Sequence, residues 1–215
     1  GYTGAGTRIA VIDTGIDTDH QSFDNGAFDY ALQQEANGNE NYIKSLDLLD
    51  QSKVTAVLSQ LNIAQNGVSA DDLYYGSKLP FAYNYVDKNT DVTHDNDTQS
   101  EHGSHVAGIA AANKYVPQTD GDETTYVSAL DTVKTQGVAP EAQLLVMKVF
   151  GSNGGAFDSD YMAAIEDAIV LGADSINLSL GSSYPGPSKY TAYMDADTDP
   201  VPVYQAILDS LASKD

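Results

Sequence analysis

The chain contains no cysteine. That removes a disulfide framework, thiolate metal ligands and a cysteine nucleophile from consideration. It leaves the compartment open, because many exported bacterial proteins do without disulfides. Basic residues are scarce: 10 Lys and Arg stand against 31 Asp and Glu, a formal charge of −21. A nucleic-acid surface needs a basic patch or stripe, and none is written here. The same charge repels phosphate backbones and anionic lipid headgroups. Solubility outside the cell, or tolerance of salt, explains it more simply than steering of a basic substrate. No apolar run reaches the roughly twenty residues of a membrane-spanning helix, and no signal peptide opens the chain. The start at Gly1 fits a mature or trimmed form. No internal repeat is visible.

What the sequence does contain is an alternation of short apolar runs and helical patterns. Its 215 residues suit one domain, 1–215, that buries about 68–75% of the surface of its unfolded form. Arg8 to Asp13 is a continuous apolar run closed by Thr14 and Gly15, the pattern of a strand buried on both faces. Leu144 to Val149 and Asp174 to Leu180 repeat it. Between them lie helical patterns at Ser100 to Ala112, rich in Ala and Gly, and at Phe157 to Leu171. The second has Met162, Ile165, Ala168 and Ile169 at helical spacing, with Gly172 just past its end. Strand alternating with helix predicts an α/β fold, a parallel sheet with helices on both faces. Residues 26–76 read as an insertion of short helices, at Tyr42 to Leu49 and Val54 to Leu61, followed by a strand near Phe81 to Val86. Residues 114–136 are polar and acidic and read as a long surface loop. An amphipathic pattern from Val201 to Ser213 predicts a last helix. A sheet ending on that helix reads as incomplete at its C-terminal end.

The chemistry concentrates at two places. Asp13 closes a buried strand, and open α/β sheets place their sites at the carboxyl ends of strands. A buried acid needs a partner, and His102, at the first turn of the Ala-rich helix, is the candidate. An aspartate that accepts Nδ1–H from a histidine fixes its tautomer and stabilises the imidazolium. Taken singly, Asp13 also reads as a turn cap and His102 as a helix cap. His105, three residues on, shares a helix face with His102, so a metal pair is conceivable. The HExxH spacing is missing, and a packed structural histidine is the better reading. His94, beside Asp95, reads as a surface residue.

Gly4-Ala5-Gly6, Val11 to Ile16, His102-Gly103-Ser104-His105-Val106-Ala107-Gly108, Gly137-Val138-Ala139-Pro140 and Asn177-Leu178-Ser179-Leu180-Gly181 together carry the order and wording of the subtilisin-like serine proteases. Phe81 to Tyr85 and Glu141 to Phe150 resemble the cell-envelope proteinase branch of that family. The resemblance spans Gly4 to Gly181 and implies a subtilisin-like fold and a secreted or cell-wall-associated bacterial endopeptidase. It implies that Asp13 is the triad acid and His102 the general base. It also implies that Ser179, Leu180 and Gly181 wall the primary specificity pocket. Gly154, Gly155 and Ala156 would flank an extended peptide substrate on its other side, where main-chain hydrogen bonds add it as a strand. Read without the family, that Gly-rich segment is only a loop. No cofactor is required for this chemistry.

The sequence departs from the family pattern. Ser22 stands where an acid, two residues after the histidine matching His20, usually helps hold calcium. The acidic clusters Asp91, Asp95, Asp97 and Asp120, Asp122, Glu123 offer carboxylates to calcium, but neither has EF-hand spacing, and solvated loops account for both. Structural calcium is therefore left unplaced. The Gly-Thr-Ser nucleophile motif and the oxyanion asparagine are absent; Ser104, Ser179 and Ser182 lack the Gly-Thr setting at a helix start. The reading is a chain that supplies Asp and His, with the serine on a C-terminal chain or segment, and that is inactive alone. A processed two-chain enzyme and a fragment of a longer one both fit. A pseudoprotease, or an acidic surface module that binds proteins without cutting them, is the alternative.

Overall fold

In the computed structural model, which describes residues 2–94, 100–181, 210, 212 and 213, the run Arg8–Asp13 is strand β1. Asp24 then caps helix α1 (Asn25–Ala36) by accepting the Ala27 N–H at 2.7 Å. Short helices α2 (Glu40–Ser45), α3 (Gln51–Val57) and α4 (Ala70–Leu73) follow, with 3-10 turns at Leu58–Gln60 and Asn62–Asn66. Strand β2 (Phe81–Asn84) leads to helix α5 (His102–Ala111). After β3 (Tyr115–Asp120), β4 (Glu123–Ser128) and the single turn α6 (Ala129–Thr132) come β5 (Gln143–Lys148), α7 (Asp158–Val170) and β6 (Ser175–Asn177).

The main sheet runs in the order β2-β5-β1-β6, every pairing parallel. The fold is thus the α/β arrangement of parallel strands with helical crossovers that the alternation predicts. Side chains alternate across a strand. On one face Val11, Ala82, Leu144 and Val146 form a core with Ala107 and Ala111 of α5. The intervening Ala10, Ile12, Leu145 and Met147 are equally buried, so both faces of β1 and β5 are covered. This is why those runs are continuously apolar. Small residues on α5 let its axis lie close to the sheet.

The helical insertion is tied to the sheet by polar groups. The buried Asp167 of α7 accepts the Asn62 backbone N–H at 2.6 Å and the Tyr85 hydroxyl at 3.0 Å. Burial pushes the Asp167 carboxyl above its usual range and the Tyr85 phenol well above its own. Lys78, fully buried, donates to the carbonyls of Pro140 and Ala142 at 3.0 and 2.7 Å.

Three expectations are corrected. Residues 114–136 are not a loop: β3 and β4 form an antiparallel hairpin, with α6 after it. Gly121, at φ 61°, lets Asp120 face Glu123 across the two-residue Gly121-Asp122 turn, a tight-hairpin signal with glycine at its first central position. Its alternation was masked because one face is polar, while Tyr115 and Tyr126 both stack on Tyr30 of α1. The run Asp174 to Leu180 is strand only over Ser175–Asn177, where it pairs with Ile9 to Val11. His105, read as packed, is exposed on α5. The helix expected over Val201 to Ser213 lies outside the described residues except for Ser210, Ala212 and Ser213, the first two of them helical. The chain divides into two compact units, Gly1–Leu178 and Ser179–Asp215. Among the described residues no helix is long and apolar enough to cross a membrane.

Candidate active site

The carboxyl ends of the strands are polar. Asp13, Asn84 and Lys148 lie side by side in the register, all of them buried. The β1–β5 ladder carries on past Asp13, whose carbonyl accepts the Val149 N–H at 2.9 Å. Lys148 Nζ donates to the Thr14 carbonyl, tying the end of β5 to the backbone just beyond Asp13.

Asp13 is 1% exposed. Its Oδ1 accepts the Thr14 N–H at 2.7 Å and lies 2.7 Å from His102 Nδ1. His102 is the first residue of α5, and its side chain is 46% exposed. A buried carboxylate thus holds one nitrogen of a half-exposed ring. Such a pair can fix the ring as the tautomer with its proton on Nδ1, which makes Nε2 the basic nitrogen.

The approach of β1's exit loop to α5 demands glycine twice. A Cβ on Gly103 would overlap the Gly15 carbonyl oxygen, and one on Gly15 would overlap the Val92 carbonyl. Gly15 also sits at φ 110°, where a side chain is strained. Two cross-links complete the approach. The Gly103 N–H donates to Thr14 Oγ1 at 2.9 Å, and the Asp17 N–H donates to Ser104 Oγ at 2.8 Å. The roles of Thr14, Ser104 and Lys148 were not legible in the sequence, since each depends on a partner distant along the chain.

His94 is also corrected. It is not a surface residue: its side chain is 4% exposed, because burial alternates along Asp91 to His94, a segment anchored by the Ile16 N–H donating to the Val92 carbonyl at 2.8 Å. That alternation, beginning at a core valine, was the available signal.

The remaining candidates lie elsewhere. Gly154, Gly155 and Ala156 form an exposed turn between β5 and α7, closed by the Gly151 N–H donating to the Gly155 carbonyl at 3.0 Å. Gly154 takes φ 83°. Ser179, Leu180 and Gly181 follow β6 in non-helical backbone and fall in the second unit. His20 Nδ1 accepts the Ser22 N–H at 3.2 Å in a local turn, and Asp91 accepts from Thr93 in another. Among the described residues no group of three or more His, Asp or Glu is placed to hold a metal ion. A cavity of about 320 Å³ between Ile43, Leu49, Tyr74 and Gln143 lies at the amino end of β5, the far end of the sheet from Asp13.

A family model described as "Subtilase family" matches residues 4–206. The PII-type proteinase of Lacticaseibacillus paracasei is 36% identical over 184 residues, 84% of this chain. The C5a peptidase of Streptococcus pyogenes is 31% identical over 182 residues, and the minor extracellular protease Vpr of Bacillus subtilis 28% over 192. The chain spans only 8%, 12% and 16% of the lengths of these three relatives.

Proposed function

The chain belongs to the subtilase family, and from that premise we propose that it supplies the acid and base of a serine endopeptidase. The observation that carries this reading is the 2.7 Å approach of the buried Asp13 carboxylate to Nδ1 of the half-exposed His102. Asp13 orients the ring and stabilises the imidazolium. His102 Nε2 takes the proton of a serine hydroxyl as that oxygen attacks a peptide carbonyl, then returns the proton to the leaving amine. The serine comes from a further segment or chain, and without it this polypeptide is inactive.

The exposed stripe of α5 is where we place the serine-bearing segment. His102, His105 and Ile109 follow one helix face, with Ile109 58% exposed. Val138, 82% exposed, joins it through its N–H bond to the Ile109 carbonyl at 3.0 Å. Apolar side chains leading away from a catalytic base are suited to burial under a second element. The substrate is an extended peptide, and the residues proposed to bind its backbone are Gly154, Gly155 and Ala156 and, separately, Ser179, Leu180 and Gly181. The relative named as an extracellular protease makes a secreted or wall-attached location the natural one for this chain.

The test is labelling by a serine-directed phosphonate. The assembled protein, with the serine-bearing segment present, incorporates the label; His102→Ala abolishes it, and Asp13→Asn lowers kcat about 10⁴-fold. An assembled, folded protein that takes up no label, yet binds protein ligands, would establish the non-catalytic alternative.

A further inference from the structure

The mechanism uses Asp13 and His102 but leaves unexplained a second histidine, His94, buried behind the first turn of α5. Its Nε2 lies 3.4 Å from Ser104 Oγ and 3.9 Å from the Glu101 carboxylate. Its Nδ1 is buried without a hydrogen-bond partner among the described residues. Ser104 already accepts the Asp17 N–H. Asp17 belongs to the loop that begins at Asp13, while Glu101 and Ser104 flank His102. One imidazole therefore touches, through a single hydroxyl, both pieces of backbone that set the Asp13–His102 distance.

The tautomer follows from the unpaired nitrogen. A buried N–H with no acceptor costs about 1–3 kcal/mol. Placing the proton on Nε2 gives that proton a receiver in Ser104 Oγ, which has two lone pairs for the Asp17 and His94 donors. Nδ1 is then left as the bare acceptor. The bond is long for an N–H···O contact, so its value lies in direction more than strength. It points the Ser104 oxygen at the Asp17 N–H and leaves the hydroxyl proton free to point away.

We propose that His94 is a positioning residue for the candidate dyad: as an Nε2–H donor it orients Ser104, and Ser104 in turn clamps the Asp13 loop to the helix turn that carries His102. The inference rests on the proposed role of Asp13 and His102. It predicts that His94 acts on the geometry of that pair without touching substrate.

The chain itself, with isotope-labelled histidine, provides the test by proton NMR. His102 gives a downfield, slowly exchanging Nδ1–H signal, identified by its loss in Asp13→Asn. In His94→Phe and Ser104→Ala that signal broadens or disappears, while His94→Gln, which keeps an N–H donor, retains it. In the assembled protease the first two variants lower kcat by up to about 10²-fold with KM held. A sharp, unshifted signal in folded His94→Phe overturns the proposal, even if Ser104→Ala loses it, since Ser104 would then act alone. Should His94→Phe not fold by circular dichroism, His94→Gln and Ser104→Ala decide: equal loss in both overturns the donor role, and loss confined to Ser104→Ala supports it. A parent chain whose signal ignores Asp13→Asn would instead sink the dyad reading, and the inference with it.

Discussion

Strand β1 has two unlike neighbours. Against β5 it pairs along all six residues, Arg8 with Gln143 through Asp13 with Lys148, and every residue of β5 is buried. Against β6 it pairs over only Ile9 to Val11, and β6 is partly exposed along its length. The ladder on the β5 side reaches the carboxyl end, where Asp13 emerges; the ladder on the β6 side stops two residues short of it. Among the described pairings, the candidate acid Asp13 is held by β5 and by His102 of α5, and the β6 ladder ends before it. This contrast predicts that the surroundings of the candidate Asp13–His102 pair and the strand leading to residues 179–181 are separable in energy.

The largest test of that separation is Gly103→Ala. Its Cβ has only the Gly15 backbone to meet, so the loop or the helix must move. The expected cost is about 4–5 kcal/mol or failure to fold, read by urea denaturation. Next, Leu145→Ala in β5 should cost about 2–5 kcal/mol, while Ile176→Ala in β6 costs about 1 kcal/mol. Equal losses would erase the distinction between the two flanks.

A pH test sharpens the same contrast from the core side. Burial lowers the Lys78 amine from 10.5 to about 7. Below pH 7 both folded and unfolded states bind its proton, and the cost of burying the cation is present in full. Between about 7 and 10.5 the unfolded state binds the proton and the folded state does not, so stability rises with pH. A neutral amine still has two N–H donors for the Pro140 and Ala142 carbonyls. Thermal melts at pH 6.5 and 9 should show this rise, and Lys78→Met should flatten it. The smallest effect belongs to Gly155→Ala, within about 0.5 kcal/mol, since nothing lies near its missing Cβ. A large loss there would mean that the 154–156 turn is part of the framework after all.

The regular elements were legible because their signals are local. Arg8–Asp13 has the bounds its apolar run predicts, and α7 ends as its pattern does, with Gly172 at φ 74° beyond it. The neighbourhood of Asp13 and His102 was legible because each carries an unusual demand, a buried acid at a strand end and a histidine at a helix start. His94 was not, because a histidine between Thr93 and Asp95 looks solvated until Val92 is seen to fix the inward phase. Asp167 escaped for a similar reason. It sits on the apolar face of α7 among Ala164, Ile165 and Ala168, and its donors, Asn62 and Tyr85, are set by tertiary structure alone.

The central position of β1 has a consequence for the order of events during synthesis. Neither neighbour of β1 is the next strand in the chain; β5 begins 135 residues after it, at Gln143 against Arg8. At ribosomal rates of about 5–20 residues per second, that interval is roughly 7–27 s, in which the apolar run from Ile9 to Ile12 has no ladder to join. Closing so long a separation makes folding slow by topology alone. The acid proposed to govern the base is thus made well before the strand that completes its surroundings, 135 residues further along the chain.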